Sequence, residues 1–149
     1  MKNAFKNKFA IIVALLTIVY SCGKYEDGPK MSLASKKGRL AGTWKLDKYL
    51  ADGVDKTTEY RTAIASESFA VDKKGKYTYS QTTTSLLGGQ TSTDAGTWEF
   101  IEKKEALRTL SDTSGAIADT SNITRLTKKE LWVKSPSGKT PVIEIHFIP

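Results

Sequence analysis

From Leu40 onward, apolar and polar residues alternate in short runs, each ended by residues that favour turns. Residues 40–50 (LAGTWKLDKYL) place Trp44, Leu46 and Leu50 on one face and Lys45 and Asp47 on the other, the pattern of a half-buried strand. Asp52-Gly53 ends that run in a turn. In residues 57–66, Tyr60, Ala63 and Ile64 fall at helical spacing behind Thr57 or Thr58 as N-cap, which predicts one short helix. Residues 67–71 and 76–84 read as two strands joined by the hairpin turn Asp72-Lys73-Lys74-Gly75. After a loop tip at Leu86-Leu87-Gly88-Gly89, strands follow at 91–100, 106–111, 121–126, 130–134 and 141–148. In the last, Val142, Glu144 and His146 face one way and Ile143, Ile145 and Phe147 the other.

Eight short strands with polar turns and one helix predict an all-β fold. Because consecutive connections are short, the expected form is an antiparallel up-and-down meander that closes into a barrel and removes its edges. A two-sheet β-sandwich is the competing closure. Ala41-Gly42-Thr43-Trp44 recurs as Ala95-Gly96-Thr97-Trp98. Two copies of four residues are one local device used twice, with glycine permitting close backbone approach and tryptophan plugging the interior.

The first residues follow a different pattern. Lys2, Lys6 and Lys8 precede an almost unbroken apolar run over 9–20, then Ser21 and Cys22. Basic start, apolar core and small residue are the parts of a secretory signal peptide. A buried first helix or a plain transmembrane anchor is the competing reading, but the run is short for roughly 30 Å of hydrocarbon. Ser21-Cys22 resembles the lipobox of bacterial lipoproteins, which implies cleavage before Cys22 and lipid on its thiol. Cys22 is the only cysteine, and an exported domain with one thiol needs such a use for it. Two or more acyl chains then hold the protein firmly at a membrane, each buried CH₂ adding about 0.8 kcal/mol. The expected division is a leader at 1–21, a lipidated cysteine and flexible linker at 22–38, in which residues 30–38 (KMSLASKKG) suit either a helical turn or an extended linker, and a barrel domain at 39–149. Glu26-Asp27 soon after the cysteine resembles the export tags of Bacteroidetes-type lipoproteins. It implies a lipid-anchored outer-membrane location, with the periplasmic and cell-surface faces both open.

Removing the leader from 149 residues leaves 128, enough for one domain with one core. The formal charge of +7 includes the three leader lysines, and the remaining basic residues alternate with acidic ones at turns. A nucleic-acid binder would gather them on one face, so nucleic acid is not an expected partner.

Gly42-x-Trp44 in the first strand is similar to the opening motif of the lipocalins. Phe69 with Gly75-x-Tyr77, Gly96-Thr97-Trp98-x-Phe100, and Ile123-x-x-Leu126 running into Leu131-Trp132-Val133 continue the likeness to the lipocalin-like domains of Bacteroidetes-type lipoproteins. The resemblance covers residues 40–149 and implies a small barrel that can enclose a cavity. It also implies a basic residue from a late strand over the first tryptophan, a place Arg125 is able to fill.

No residues point to catalysis or to a metal. His146 is the only histidine and has no Gly-x-Ser-x-Gly elbow to serve, and scattered acids lack ligand spacing. Asp52-Gly53-Val54-Asp55 is too sparse for a calcium loop. No cofactor is expected. The strand aromatics Trp44, Tyr77, Tyr79, Trp98, Phe100 and Trp132 are the candidates for lining a pocket, against the simpler reading that they fill the core. Two functions follow: capture of a small apolar ligand, or a solid domain that contacts another envelope component through its loops. A cavity above about 300 Å³ with an open mouth separates them.

Overall fold

A computed structural model describes residues 34–85, 88–113 and 115–149. The leader, Cys22, the acidic tag and the loop-tip residues Leu86 and Leu87 lie outside the described residues. A short helix, α1 (Lys36–Leu40), leads into strand β1 (Gly42–Ala51). Then follow β2 (Val54–Asp55), α2 (Thr57–Ala63), β3 (Ile64–Val71), β4 (Lys76–Thr83) and β5 (Thr91–Ile101). A single 3₁₀ turn, Glu102–Lys104, precedes β6 (Ala106–Ser111), β7 (Asp119–Leu126), β8 (Leu131–Lys134) and β9 (Ile143–Ile148).

Strands β3 to β9 pair antiparallel in sequence order, β3 pairs with β1, and β9 returns to β1. The returning ladder runs from Lys45↔Ile148 to Ala51↔Ile143 and closes an eight-stranded barrel. This is the up-and-down barrel rather than the sandwich. The two-residue β2 is an appendix that folds back on β1, across a turn where Asp52 (φ 49°) and Gly53 (φ 78°) are both left-handed. Two positive φ values in a two-residue connection match the right-handed twist of the flanking strands, and glycine adopts its own without steric cost.

Several local expectations change in the structure. The helix after β1 ends at Ala63, not Ser66, because Ile64 and Ser66 pair with Thr83 and Thr82 of β4. Neither Thr57 nor Thr58 is its N-cap. Lys56 holds that position without a side-chain bond, and the Thr57 hydroxyl accepts from the Tyr49 amide instead. A bulge in β1 between Leu46 and Lys48 reverses the alternation, so Tyr49 faces the same side as Ile145 while Leu50 pairs with Glu144. Lys36, Lys37 and Gly38, in a segment that suited either a helical turn or a linker, are helical, with the Ser35 hydroxyl accepting from the Gly38 amide at 3.0 Å as cap.

The core gathers at the end where β1 begins. Leu40, at 0% exposure, and Trp44, at 2%, pack with Trp98, Ile123, Leu126 and Leu131. The Trp44 indole N–H donates to the Leu40 carbonyl at 2.7 Å, and that of Trp98 to the Asp72 carbonyl at 3.0 Å. The α1 helix therefore lies across this end, with the Lys37 ammonium 5.6 Å from the Trp98 ring. The two Ala-Gly-Thr-Trp copies share the plugging tryptophan but use the glycine differently, Gly42 for its φ of 157° and Gly96 for close approach. A Cβ on Gly96 would stand 2.0 Å from the Leu110 carbonyl oxygen, whereas one on Gly42 meets nothing.

Candidate functional site

Farther along the same strands, the inward positions turn polar and enclose a cavity of about 370 Å³. Its apolar wall comes from Phe69 (β3), Leu107 (β6), Leu131 and Val133 (β8), and Ile145 and Phe147 (β9). Tyr77 and Tyr79 of β4 stand between that wall and the polar side, where Glu67, Asp94, Thr109, Ser111, Asp119 and Ser121 project inward. Ile117, 92% exposed, marks the rim in the loop between β6 and β7. Two hollows of about 450 and 460 Å³ lie on the outer surface. Their walls include outward positions, Asn122 and Lys134 in one and Lys45, Ser68 and Ser80 in the other.

Strand parity places the polar groups. Glu67 precedes Phe69 and Val71 on the inner face of β3, and Asp94 precedes Gly96 and Trp98 on that of β5. Tyr79 and Asp94 are direct cross-strand partners. The Tyr77 hydroxyl donates to Asp94 Oδ2 at 2.6 Å, and the Ser111 hydroxyl donates to Oδ1. These bonds, Ser111 first and Tyr77 second, hold the Asp94 carboxyl below the usual carboxylate range. Burial, with the adjacent Asp94 carboxylate, pushes the Tyr77 phenol up to about 12.

Glu67 is 6% exposed and anchors a second network. The Tyr60 hydroxyl donates to its Oε2 at 2.7 Å, and the Gln81 amide donates to the Tyr60 hydroxyl at 3.3 Å. Tyr60 comes from α2, where its ring stacks on Tyr49 with centroids 4.3 Å apart. That is how the helix after β1 reaches the site. Burial raises the phenols of Tyr60 and Tyr79 above their ordinary range, and the Glu67 carboxylate adds to both shifts.

Of the six aromatics expected to line a pocket, Tyr77 and Tyr79 do so. Trp44 and Trp98 are buried in the closed end. Phe100 packs edge-on against Trp98 there, with centroids 5.3 Å apart. Trp132 belongs to the outer face. Its flanking residues Leu131 and Val133 point inward, so Trp132 must point out. It is sandwiched there, 4.0 Å from the ring of His146 and 5.0 Å from the Arg125 guanidinium. Arg125 thus covers the late-strand tryptophan, and also pairs with Glu130 at 2.8 Å. The His146 ring shares a 2.7 Å hydrogen bond with Glu144 on that outer face.

Sequence reasoning did not pick out Glu67, Asp94, Thr109, Ser111 or Asp119. The signal was present for two of them, since a carboxylate shares the inward parity of Phe69 in one strand and of Trp98 in another. Among the described residues, no helix is long and apolar enough to cross a membrane, and no three His, Cys, Asp or Glu side chains gather as metal ligands.

The family model for lipocalin-like domains matches residues 40–133. No curated protein matches the chain. Among solved structures, it is similar to the siderocalin Ex-FABP, described as functioning through dual ligand specificities. Identity is 14% over 76% of this chain and 74% of that one, with a TM-score of 0.30.

Proposed function

Because the chain belongs to the family of lipocalin-like domains, we propose that it captures a small molecule with an apolar body inside the barrel, as a lipoprotein tethered through Cys22. Domains of this family are generally ligand-binding and non-enzymatic, and commonly take small hydrophobic ligands. The observation that carries the reading is the cavity itself. Its 370 Å³ falls within the range of roughly 300–1,000 Å³ typical of small-molecule pockets. An apolar wall on one side with a few fixed polar groups on the other is how such pockets combine affinity with orientation. A solid domain working only through its loops would have filled this volume with side chains.

The tether follows from the leader and its lipobox. It sets the place of action at the outer membrane, and the cavity then takes its ligand near a bilayer surface. Native mass spectrometry of protein purified from its own host tests capture: a recurrent small mass bound to the acylated chain is expected, and a bare chain in repeated preparations would overturn the reading. Cys22→Ser tests the tether separately. The variant should leave the membrane fraction, and persistence there would remove the lipid from the account.

A further inference from the structure

We infer that the captured molecule carries a positive charge: an amphiphile with an organic ammonium group set against Glu67 and Asp94 and an apolar body against Phe69, Leu107, Val133 and Ile145. This rests on the capture reading above and specifies the chemistry of the same cavity.

The first observation is the sign of the lining. Glu67, Asp94 and Asp119 contribute carboxylates, and among the described residues no lysine, arginine or histidine lines the cavity. Chain composition does not explain that bias, since basic residues outnumber acidic ones 23 to 16. The second is how the two inner carboxylates are partnered. Glu67 accepts from the Tyr60 hydroxyl with the Tyr79 hydroxyl also set against it, and Asp94 from the Tyr77 and Ser111 hydroxyls. Every one of these donors is a neutral hydroxyl. Elsewhere in the described structure several acids meet bases directly, as in Arg125–Glu130, Lys56–Glu59 and Arg108–Glu99, while Asp52, Asp55 and Asp72 accept from main-chain amides.

A carboxylate taken out of water needs a counter-charge or a full set of donors. Each carboxylate oxygen accepts at two lone pairs, so one hydroxyl per oxygen leaves capacity toward the cavity. An entering ammonium supplies both the charge and the missing donors, through short charge-assisted bonds. The faces of Tyr77, Tyr79 and Phe69 add favourable quadrupoles for a cation in the same space. Asp119, in the same lining, adds attraction at longer range. A fatty acid headgroup would meet like charge in the same place. With no cluster of three ligating side chains among the described residues, an organic cation fits better than a metal ion.

Octylamine, octanol and octanoate share one apolar chain and differ in headgroup charge. Titrated calorimetrically into the full chain at neutral pH and low ionic strength, octylamine is expected to bind at least about tenfold tighter than octanoate, with octanol between. In the double variant Glu67→Gln, Asp94→Asn, the octylamine-to-octanol affinity ratio should fall to about one, while Glu99→Gln on the outer face leaves that ratio unchanged. Octanol binding as tightly as octylamine, or octanoate binding tightest, would overturn the charge assignment and leave capture intact. If none of the three binds, capture and charge assignment fall together.

Discussion

The two ends of this barrel are built from the same strands and solve opposite problems. At the end crossed by α1 the core is built from apolar side chains, and the indoles of Trp44 and Trp98 donate to main-chain carbonyls. Toward the other end, β3 passes from Val71 and Phe69 to Glu67, and β5 from Trp98 to Asp94. The hydroxyls that meet those carboxylates come from three different elements, α2, β4 and β6. One end is closed by contacts that exclude water, and the other keeps charge and volume in reserve. The difference teaches that stability and binding need not compete for the same positions in a small barrel.

That contrast breaks most visibly at its stable end. Trp44→Ala removes the plug and its 2.7 Å bond to Leu40, and should cost about 3–5 kcal/mol by chemical denaturation. Unchanged stability would mean that α1 and the plug do not hold this end together. Gly96→Ala tests the approach of β5 to β6. The new methyl would overlap the Leu110 carbonyl oxygen, so the strands must part, with an expected loss of about 1–3 kcal/mol. Gly42→Ala meets no such neighbour, but its φ of 157° disfavours a side chain, so it tests backbone conformation where Gly96→Ala tests close approach.

A smaller effect sharpens the other side. Tyr60, Tyr77 and Tyr79 all ionise above the ordinary phenol value of 10.0, Tyr77 at about 12. A phenol whose folded pKa is raised gives up its proton first in the unfolded chain. Its contribution is therefore whole below pH 10 and lost as pH climbs through about 12. Denaturation series across that window should show stability falling, and Tyr77→Phe should make the fall shallower. An identical slope in the variant would separate Tyr77 from the alkaline transition.

Much of the fold was legible because turns announce themselves. Asp52-Gly53 and Asp72 to Gly75 sit between alternating runs, and the strands begin and end within a few residues of those marks. The site was less legible. Leu131-Trp132-Val133 is apolar throughout, so its alternation does not say which residue faces in, and Trp132 turned out to be on the outside. Leu50 changed sides through a bulge that no residue type in β1 signals. Glu67 was readable as an inward carboxylate from parity alone, but not its Tyr60 partner, since that ring arrives from a helix.

By itself the order of residues settled the β class, the strand count of the barrel and the short connections, because period and turn chemistry are local properties. It also carries the basic start, the apolar run over 9–20 and the lone cysteine after it. Only the tertiary structure decided that β9 returns to β1, that Trp44 and Trp98 go to one end and the carboxylates to a cavity near the other, and that no base among the described residues lines that cavity. Those facts depend on register between strands far apart in the chain, and a shift of one residue would exchange every inward side chain for an outward one.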